Sequence, residues 1–166
     1  MNIIILTIVV IIISIILYKF RNRVKRRYHE NGQLENEIPF VLGITHGTAR
    51  LYYENGKLES EIPFVLGKRH GIGKWYYKSG KLKSETSYKK GKLNGTMKYY
   101  FENGKLWFET PYINGEKHGT GKWYYESGQL LFETTYVDGK EHGICKEYYR
   151  TGELKKESRY DYGKLI

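Results

Sequence analysis

The sequence predicts an all-β protein, an elongated single sheet of tandem β-hairpin repeats preceded by one transmembrane helix. Two observations support this fold class. A 24-residue period runs from Tyr28 to the C-terminus without an insertion or deletion, and it places glycine, leucine and glutamate at fixed phases. A continuous apolar run stands before the repeats. Residues repeated this strictly answer a structural demand, so most of them are poor active-site candidates.

The apolar run covers residues 3–18, is interrupted only by Thr7 and Ser14, and has no charged side chain before it. A secretory signal peptide has positive charge before its apolar region and a small-residue cleavage site after it, and neither is present. Sixteen to eighteen residues span ~24–27 Å as a helix, slightly less than a ~30 Å hydrocarbon core. We expect residues 1–18 to be an uncleaved transmembrane anchor, with a cleaved signal peptide or a buried core element as alternatives.

Residues 19–27 are expected to be a basic juxtamembrane flank. Six cations follow the apolar run, whereas only the amino group precedes it, so the positive-inside rule places the repeats in the cytoplasm of a single-pass membrane protein. Six of the 28 Lys and Arg lie in this flank, which leaves 22 in the repeats against 18 Asp and Glu. That balance argues against nucleic-acid binding and favours contact of the flank with anionic lipid. The flank residues are Lys19, Arg21, Arg23, Lys25, Arg26 and Arg27.

Each repeat reads as a β-hairpin. In residues 119–137, two runs rich in aromatic and β-branched residues flank Ser127-Gly128, and three other repeats carry Asn-Gly at this place. Asn-Gly between such runs is the strongest short-range hairpin signal, because a type I′ turn needs positive φ at both central residues. We expect five full repeats and one partial repeat in a domain of residues 28–166. Their bounds are 28–51, 52–75, 76–99, 100–123, 124–147 and 148–166.

A two-residue turn sets a register in which every repeated glutamate faces a cation. Such cross-strand pairs contribute about 0.2–1 kcal/mol each and discourage the wrong register, so we interpret the glutamates as structural. The pairs predicted in one hairpin are Tyr125 with Leu130, Tyr124 with Leu131, Trp123 with Phe132, and Lys122 with Glu133. The equivalent ion pairs are Arg26–Glu37, Arg50–Glu61, Lys74–Glu85, Lys98–Glu109 and Lys146–Glu157.

Proline recurs at one phase, as Pro39, Pro63 and Pro111. Because proline cannot donate to a ladder, we expect this position to face away from a neighbouring strand or to lie at a β-bulge that kinks the second strand. The aromatic residue one position later is expected to close over the kink. A longer glycine-containing turn, such as residues 115–119, then leads into the next hairpin.

The recurring pattern Tyr-Tyr-x-Asn-Gly-Lys-Leu-x-x-Glu-x-x-Tyr-x-x-Gly-x-x-His-Gly resembles the second, variant type of MORN repeat. Residues 52–71, 100–119 and 124–143 carry it most fully, and the resemblance covers residues 28–166. Proteins built from this repeat include the YwqK-type family of antitoxins from bacterial toxin–antitoxin systems. The resemblance implies stacked β-hairpins and a protein-binding role, such as neutralising a toxin. It implies no catalytic residue.

Candidate chemistry is sparse, so we expect a protein that is not an enzyme and that has no cofactor, no metal and no small-molecule substrate. Histidines before a turn glycine recur in four repeats, but equivalent loops are about 10 Å or more apart, too far for one zinc ion. Cys145 follows His142 closely in sequence, which is weak ground for a dyad, and we interpret it as a buried thiol. The sequence carries no P-loop, Gly-x-Ser-x-Gly or His-Glu-x-x-His.

The residues that break the repeat are the best candidates for function. At two adjacent phases after the hairpin glycine, large apolar side chains occur only in the fourth and fifth repeats, as Trp107, Phe108, Leu131 and Phe132. On one exposed face they would form a protein-binding patch about 10 Å across. The alternative is that they thicken the core in the middle of the sheet.

These observations favour a non-enzymatic, membrane-anchored module that binds another protein. The leading function is an antitoxin or immunity protein that neutralises a toxin near the membrane. The alternative is a membrane-associated scaffold that binds anionic lipid or envelope proteins through the sheet and the basic flank. A repeat region of nearly balanced charge, with its aromatic residues divided between the two faces of the sheet, argues against nucleic-acid binding.

Overall fold

The computed structural model describes residues 3–166, apart from the side chains of residues 17 and 19–21. Helix α1 (Ile3–Arg21) runs directly into the first strand. The strands are β1 Asn22–Tyr28, β2 Leu34–Val41, β3 Ile44–Thr45, β4 Gly47–Tyr52, β5 Leu58–Val65, β6 Lys68–Arg69, β7 Gly71–Tyr76, β8 Leu82–Lys89, β9 Lys92–Tyr100, β10 Leu106–Ile113, β11 Glu116–Lys117, β12 Gly119–Tyr124, β13 Leu130–Val137, β14 Lys140–Tyr148, β15 Leu154–Asp161 and β16 Lys164–Leu165.

The strands form one antiparallel sheet, which confirms the predicted architecture of tandem hairpins. Its order is β1-β2-β4-β5-β7-β8-β9-β10-β12-β13-β14-β15-β16, and the short strands β3, β6 and β11 pair with β2, β5 and β10. Each strand therefore pairs with its neighbours in sequence, as expected of a repeat whose units contact only the adjacent units. No second layer covers this sheet in residues 3–166.

The prediction of a transmembrane anchor is wrong. Within residues 3–166, no helix is long and apolar enough to cross a membrane. This finding contradicts the predicted single-pass membrane topology and, with it, the predicted cytoplasmic orientation of the repeats. The side chains of Lys19 and Arg21 lie outside the described residues.

Most of the expected basic flank belongs to the sheet. Residues 23–27 lie within β1 and pair along its length with β2. Arg26 Nε lies 3.5 Å from Glu37 Oε2, as the predicted register requires. The ammonium group of Lys25 lies 5.0 Å from the ring centroid of Phe40. These cations therefore contact the protein's own second strand.

The hairpin at the Asn-Gly phase has a three-residue loop, and the predicted type I′ turn there is wrong. The carbonyl of Tyr125 accepts from the N–H of Gly128 at 2.8 Å, and Tyr125 N–H donates to Gln129 at 2.8 Å. Only the glycine has positive φ, 103° at Gly128, which is a type I turn followed by a left-handed glycine. The asparagine instead caps the loop with its side chain, because Asn55 Oδ1 accepts from the N–H of the residue two positions later at 3.1 Å.

The interior register is nevertheless as predicted. Trp123 pairs with Phe132 and Lys122 with Glu133. The two pairs nearest the loop are wrong by one residue, because Tyr124 pairs with Leu130 in place of Leu131, and Tyr125 bonds to Gln129 in place of Leu130. The longer loop shifts the register by one residue, and a β-bulge at Leu131 shifts it back. The bulge recurs in every hairpin, and its extra residues are Glu35, Glu59, Lys83, Trp107, Leu131 and Lys155.

Type I′ turns occur at the connection between hairpins. Val65 pairs with Lys68 across the two residues Leu66 and Gly67, whose φ values are 49° and 75°. Positive φ at both central residues is the defining geometry of this turn. A non-glycine residue takes the first place in every repeat: Leu42, Leu66, Lys90, Asn114, Asp138 and Tyr162.

The proline phase lies opposite a bulge, in agreement with the sequence. The carbonyl of Pro111 accepts from the N–H of His118 at 3.0 Å, after which the ladder between β10 and β12 is interrupted as far as Glu109–Lys122. Gly119 follows with φ of 99°, and a Cβ there would lie 3.1 Å from Pro111 Cγ. Proline has no N–H to donate, and because of the bulge no carbonyl of the facing strand is left without a donor opposite it.

One face of the sheet carries an unbroken row of alternating charge. Each interior glutamate lies between two cationic residues, and a tyrosine hydroxyl also donates to it; Tyr76 to Glu61, at 2.9 Å, is one example. Cross-strand pairing of opposite charges penalises a slipped register. The row is Arg26, Glu37, Arg50, Glu61, Lys74, Glu85, Lys98, Glu109, Lys122, Glu133, Lys146 and Glu157.

Candidate functional site

The face opposite the charged row carries large aromatic side chains at the neighbouring register. The residue after or before each charged residue along a strand points to the other side of the sheet, so these residues share one face. Cross-strand pairing orders them from the third hairpin to the fifth as Trp75, Ser84, Tyr99, Phe108, Trp123 and Phe132. We call this face the aromatic face.

Four of these rings, with two neighbours, form a continuous cluster. Tyr99 stacks on Phe108 with centroids 5.4 Å apart, and Phe108 lies 6.3 Å from Trp123. Trp123 meets Phe132 edge-on at 5.2 Å. Such pairs contribute about 0.5–1.5 kcal/mol each beyond the area they bury. The aromatic cluster consists of Tyr99, Phe101, Trp107, Phe108, Trp123 and Phe132.

The bulge brings Trp107 onto the same face as Phe108. Adjacent residues in a regular strand point to opposite faces, yet Trp107 meets both Tyr99, at 5.5 Å, and Phe108, at 5.6 Å. Its ring also lies 5.6 Å from Phe101. Trp107 remains 42% exposed in spite of these contacts. It is held on several sides and still presents a large apolar surface to solvent.

Leu131 occupies in β13 the bulge position that Trp107 occupies in β10. Two strand spacings separate them, about 10 Å. Phe108, Leu131 and Phe132 are half-buried. Of the four predicted residues, three are therefore half-buried in the surface of the sheet, and Trp107 is the most exposed. Their role in binding stays a prediction.

Two glycines outside the regular phases shape this face, and sequence reasoning missed them. The outer edge of the Trp123 ring covers Gly121, where a Cβ would lie 2.9 Å from Cη2. Trp75 covers Gly73 in the same way, at 3.0 Å. The available signal was their spacing, because each glycine precedes a tryptophan by two residues and so shares its face. These glycines let the indole rings lie flat against the sheet.

The third hairpin leaves a hollow of about 280 Å³ on the aromatic face, which we call the Trp75 hollow. It forms because the neighbours of Trp75 on both sides are small: Ser60 and Ser84, 2% and 6% exposed. The equivalent positions beside Trp123 hold phenylalanines that fill the space. Its walls include Tyr53, Glu59, Trp75, Lys83, Tyr88 and Tyr99.

The two charged residues of the Trp75 hollow are bulge residues of adjacent hairpins. The ammonium group of Lys83 lies 5.6 Å from the Tyr77 ring and 5.8 Å from the Tyr99 ring. A hydrogen bond to Tyr99 raises the pKa of Lys83. Burial, and next the negative charge of Glu59, raise the pKa of Tyr53. Lys83 and Glu59 therefore each interact electrostatically with a tyrosine in the walls of the hollow, Tyr99 and Tyr53 respectively.

The described residues were also compared with the geometry of a metal site and with the chemistry of a reactive cysteine. No group of three or more His, Cys, Asp or Glu in residues 3–166 lies close enough to hold a metal ion. Burial, and then the negative charge of Glu141, raise the pKa of the Cys145 thiol. A raised pKa lowers the thiolate fraction, and the thiolate is the reactive form of cysteine.

A single-layer sheet of stacked hairpins with an aromatic face defines a repeat-built binding module. The MORN repeat variant model matches residues 24–41, 45–65, 69–90, 93–114, 117–138 and 141–162, more than half of the chain. The chain therefore belongs to the MORN repeat variant family. No curated protein matches it.

Solved structures give weak and partial likenesses. One is a mutant of S. aureus TarM in complex with fondaparinux, alpha-GlcNAc-glycerol and UDP: TM-score 0.40, 10% identity, over 79% of this chain and 23% of that one. Another, a GtfA/B complex bound to UDP and GlcNAc, has TM-score 0.27 and 18% identity over 66% and 22%. The chain spans less than a quarter of the length of either protein.

Proposed function

We propose that this chain is a non-enzymatic module that binds another protein through the exposed part of the aromatic cluster. The observation that carries the proposal is Trp107, a large ring that three aromatic contacts hold in place while 42% of its surface stays open. Tryptophan is the residue type most enriched among the anchors of protein interfaces. Leu131 extends the same surface by one repeat.

Packing within the sheet prepares this surface for binding. Trp107 contacts rings on β9 and β10 and in the turn between them, so its position is fixed before a partner arrives. Trp123 beneath the surface is fixed over Gly121. Association costs less when side chains are already ordered, because less rotamer freedom is lost. A rigid apolar platform is therefore suited to specific recognition.

The partner class that we propose is a protein toxin, so that the chain acts as an antitoxin or immunity protein. The resemblance of the repeats to those of antitoxins supports this choice. The test is co-expression: a partner identified by cross-linking should arrest growth when expressed alone, and this chain should restore growth. Restoration should fail for the double variant Trp107→Ser/Leu131→Ser. A partner without any effect on growth would remove the antitoxin role.

The binding surface itself is tested by photo-cross-linking in cells that express the full chain. A photoreactive phenylalanine analogue is placed at Trp107, at Leu131 or, as a control, at Ile144. Ile144 is also exposed, at 49%, but it precedes the buried Cys145 and so lies on the opposite face. We expect positions 107 and 131 to capture the same protein and position 144 not to capture it. Equal capture at position 144 would contradict the proposal, as would no capture at 107 and 131.

A further inference from the structure

In three of the hairpins, the bulge residue meets the residue eight positions before it, and the two have complementary chemistry. In the first hairpin, Arg27 lies 3.8 Å from Glu35. In the last, Lys155 lies 2.7 Å from Glu147. In the fourth, both residues are aromatic, and Tyr99 meets Trp107. Each bulge residue in these hairpins thus has a partner of suitable chemistry on the preceding strand.

Glu59 is the exception. The residue eight positions before it is Leu51, which offers neither charge nor hydrogen bond. No hydrogen bond or ion pair of the Glu59 carboxylate occurs within the described part of the chain, although the residue is half-buried and lines the Trp75 hollow. A partly buried carboxylate is costly unless a cation or a donor compensates it. The hollow beside it is large enough to admit one.

The walls near Glu59 suit a cation. The Tyr53 hydroxyl donates to the carbonyl of Tyr76 at 2.6 Å, which fixes the tyrosine ring. Trp75 is fixed over Gly73. A cation above aromatic faces is attracted by the ring quadrupole, and tryptophan gives the strongest such contact. A guanidinium group also stacks on rings and binds a carboxylate through two parallel hydrogen bonds.

We propose that the Trp75 hollow receives an arginine side chain of the protein partner, with its guanidinium group paired to Glu59 and stacked on Trp75. The inference rests on the proposed function in that the arginine belongs to a bound protein. Lys83 sets the orientation, since its ammonium group already lies over Tyr77 and Tyr99. It repels a second cation from that end of the hollow and directs it toward Glu59. The hollow then discriminates between partners by charge.

The experiment is a titration of the full chain with blocked arginine, N-acetyl-arginine amide, followed by NMR of the tryptophan indole N–H groups. Blocked citrulline has nearly the same shape without the charge, and blocked glutamate has the opposite charge. We expect a saturable shift of the Trp75 signal with arginine alone, while Trp123 stays unchanged. Glu59→Gln should weaken the apparent affinity about tenfold or more.

The matched control is Glu116→Gln, which removes the same charge from an exposed position outside the hollow and should leave the titration unchanged. Unshifted signals elsewhere in the Glu59→Gln spectrum verify the fold. Equal shifts with citrulline, no effect of Glu59→Gln, or no saturable shift would overturn the proposal. Tighter binding of blocked glutamate would place an anion in the hollow instead. Arginine binding without cross-linking at Trp107 would remove the proposed function and leave this site standing.

Discussion

Trp123 lies across Gly121 so closely that a Cβ added to the glycine would be 2.9 Å from Cη2 of the indole. The same contact pairs Trp75 with Gly73. In the second hairpin the corresponding pair is Leu51 and Ala49, and in the fourth it is Tyr99 and Met97. Among these four hairpins, a flat indole occurs only in the two in which the residue two positions earlier is glycine.

This relationship predicts that Gly121→Ala is destabilising. The added methyl must displace the Trp123 ring, and overpacking of this kind costs about 1–3 kcal/mol. Urea unfolding of the full chain measures the change in free energy. The double variant Gly121→Ala/Trp123→Leu recreates the Ala49–Leu51 combination, so the cost of alanine in that background should fall below about 0.5 kcal/mol. Additive effects of the two substitutions would show that the two positions do not interact.

The type I′ turns predict a stabilising substitution. Leu66 has φ of 49° and is 70% exposed, so it bears the strain of a left-handed conformation and buries little in return. Asparagine tolerates this conformation better than leucine, and Asn114 occupies the equivalent place two repeats later. Leu66→Asn should raise the free energy of unfolding by about 0.5–1 kcal/mol.

The reverse substitution, Asn114→Leu, is the matched control for the turn. It should lower the free energy of unfolding by a similar amount, since it places a branched side chain at φ of 53°. Thermal unfolding of the two variants beside the parent chain is sufficient. A stabilising effect of Asn114→Leu would indicate that side-chain contacts, and not backbone strain, govern this position.

Hydroxyl groups that join adjacent repeats predict a complementary pair of variants. Tyr77 donates to the carbonyl of Tyr100 at 2.6 Å, and Tyr125 does the same for Tyr148 at 2.9 Å. Phe101 occupies the equivalent position in the fourth hairpin and has no hydroxyl group. Tyr77→Phe should therefore cost about 0.5–1.5 kcal/mol, and Phe101→Tyr should stabilise the chain by supplying the missing bond to Tyr124. Chemical unfolding measures both, and a destabilising Phe101→Tyr would show that its packing on Trp107 leaves no space for the hydroxyl.

Tyrosine burial predicts a loss of stability at high pH. Burial, with the hydrogen bond to Glu61, raises the pKa of Tyr76 from 10.0 to about 12. Because the pKa is higher in the folded chain than in the unfolded chain, the contribution is complete below pH 10 and is lost as the pH approaches about 12. Tyr76→Phe should flatten the decline of the urea midpoint over this range. A decline of unchanged steepness would mean that Tyr76 ionises as freely in the fold as in water.

Local sequence predicted the interior of each hairpin well. The pairs Lys122–Glu133 and Trp123–Phe132 follow from any hairpin centred near Ser127-Gly128, because the three-residue loop and the bulge at Leu131 shift the register in opposite directions. Because these two shifts cancel, the interior pairs give no indication of the loop type or of the bulge. Asparagine before glycine suits a type I′ turn, but here its side chain caps the loop and donates to the next repeat, a contact that exists only after stacking.

The sequence singled out the residues of the candidate site but did not predict their geometry, and their role in binding stays a prediction. Trp107, Phe108, Leu131 and Phe132 stood out because they break the repeat, whereas the alternation of side chains in a regular strand would have divided them between two faces. The bulge unites them. Gly73 and Gly121 fall outside the glycine phases of the repeat, and the reason for them is a tertiary contact with a neighbouring indole.

The sequence by itself determined the repeat, the hairpin, the strand order and the pairing of glutamate with cations, because each depends on residues within one 24-residue unit or its immediate neighbour. The tertiary structure decided what depends on position in the stack. It showed that residues 23–27 pair with β2, that among residues 3–166 no helix spans a membrane, and that the bulge residues gather on the aromatic face. Identical units place identical demands on the sequence. The role of the residues that depart from the repeat can be inferred only after the stacked structure shows which of them are in contact.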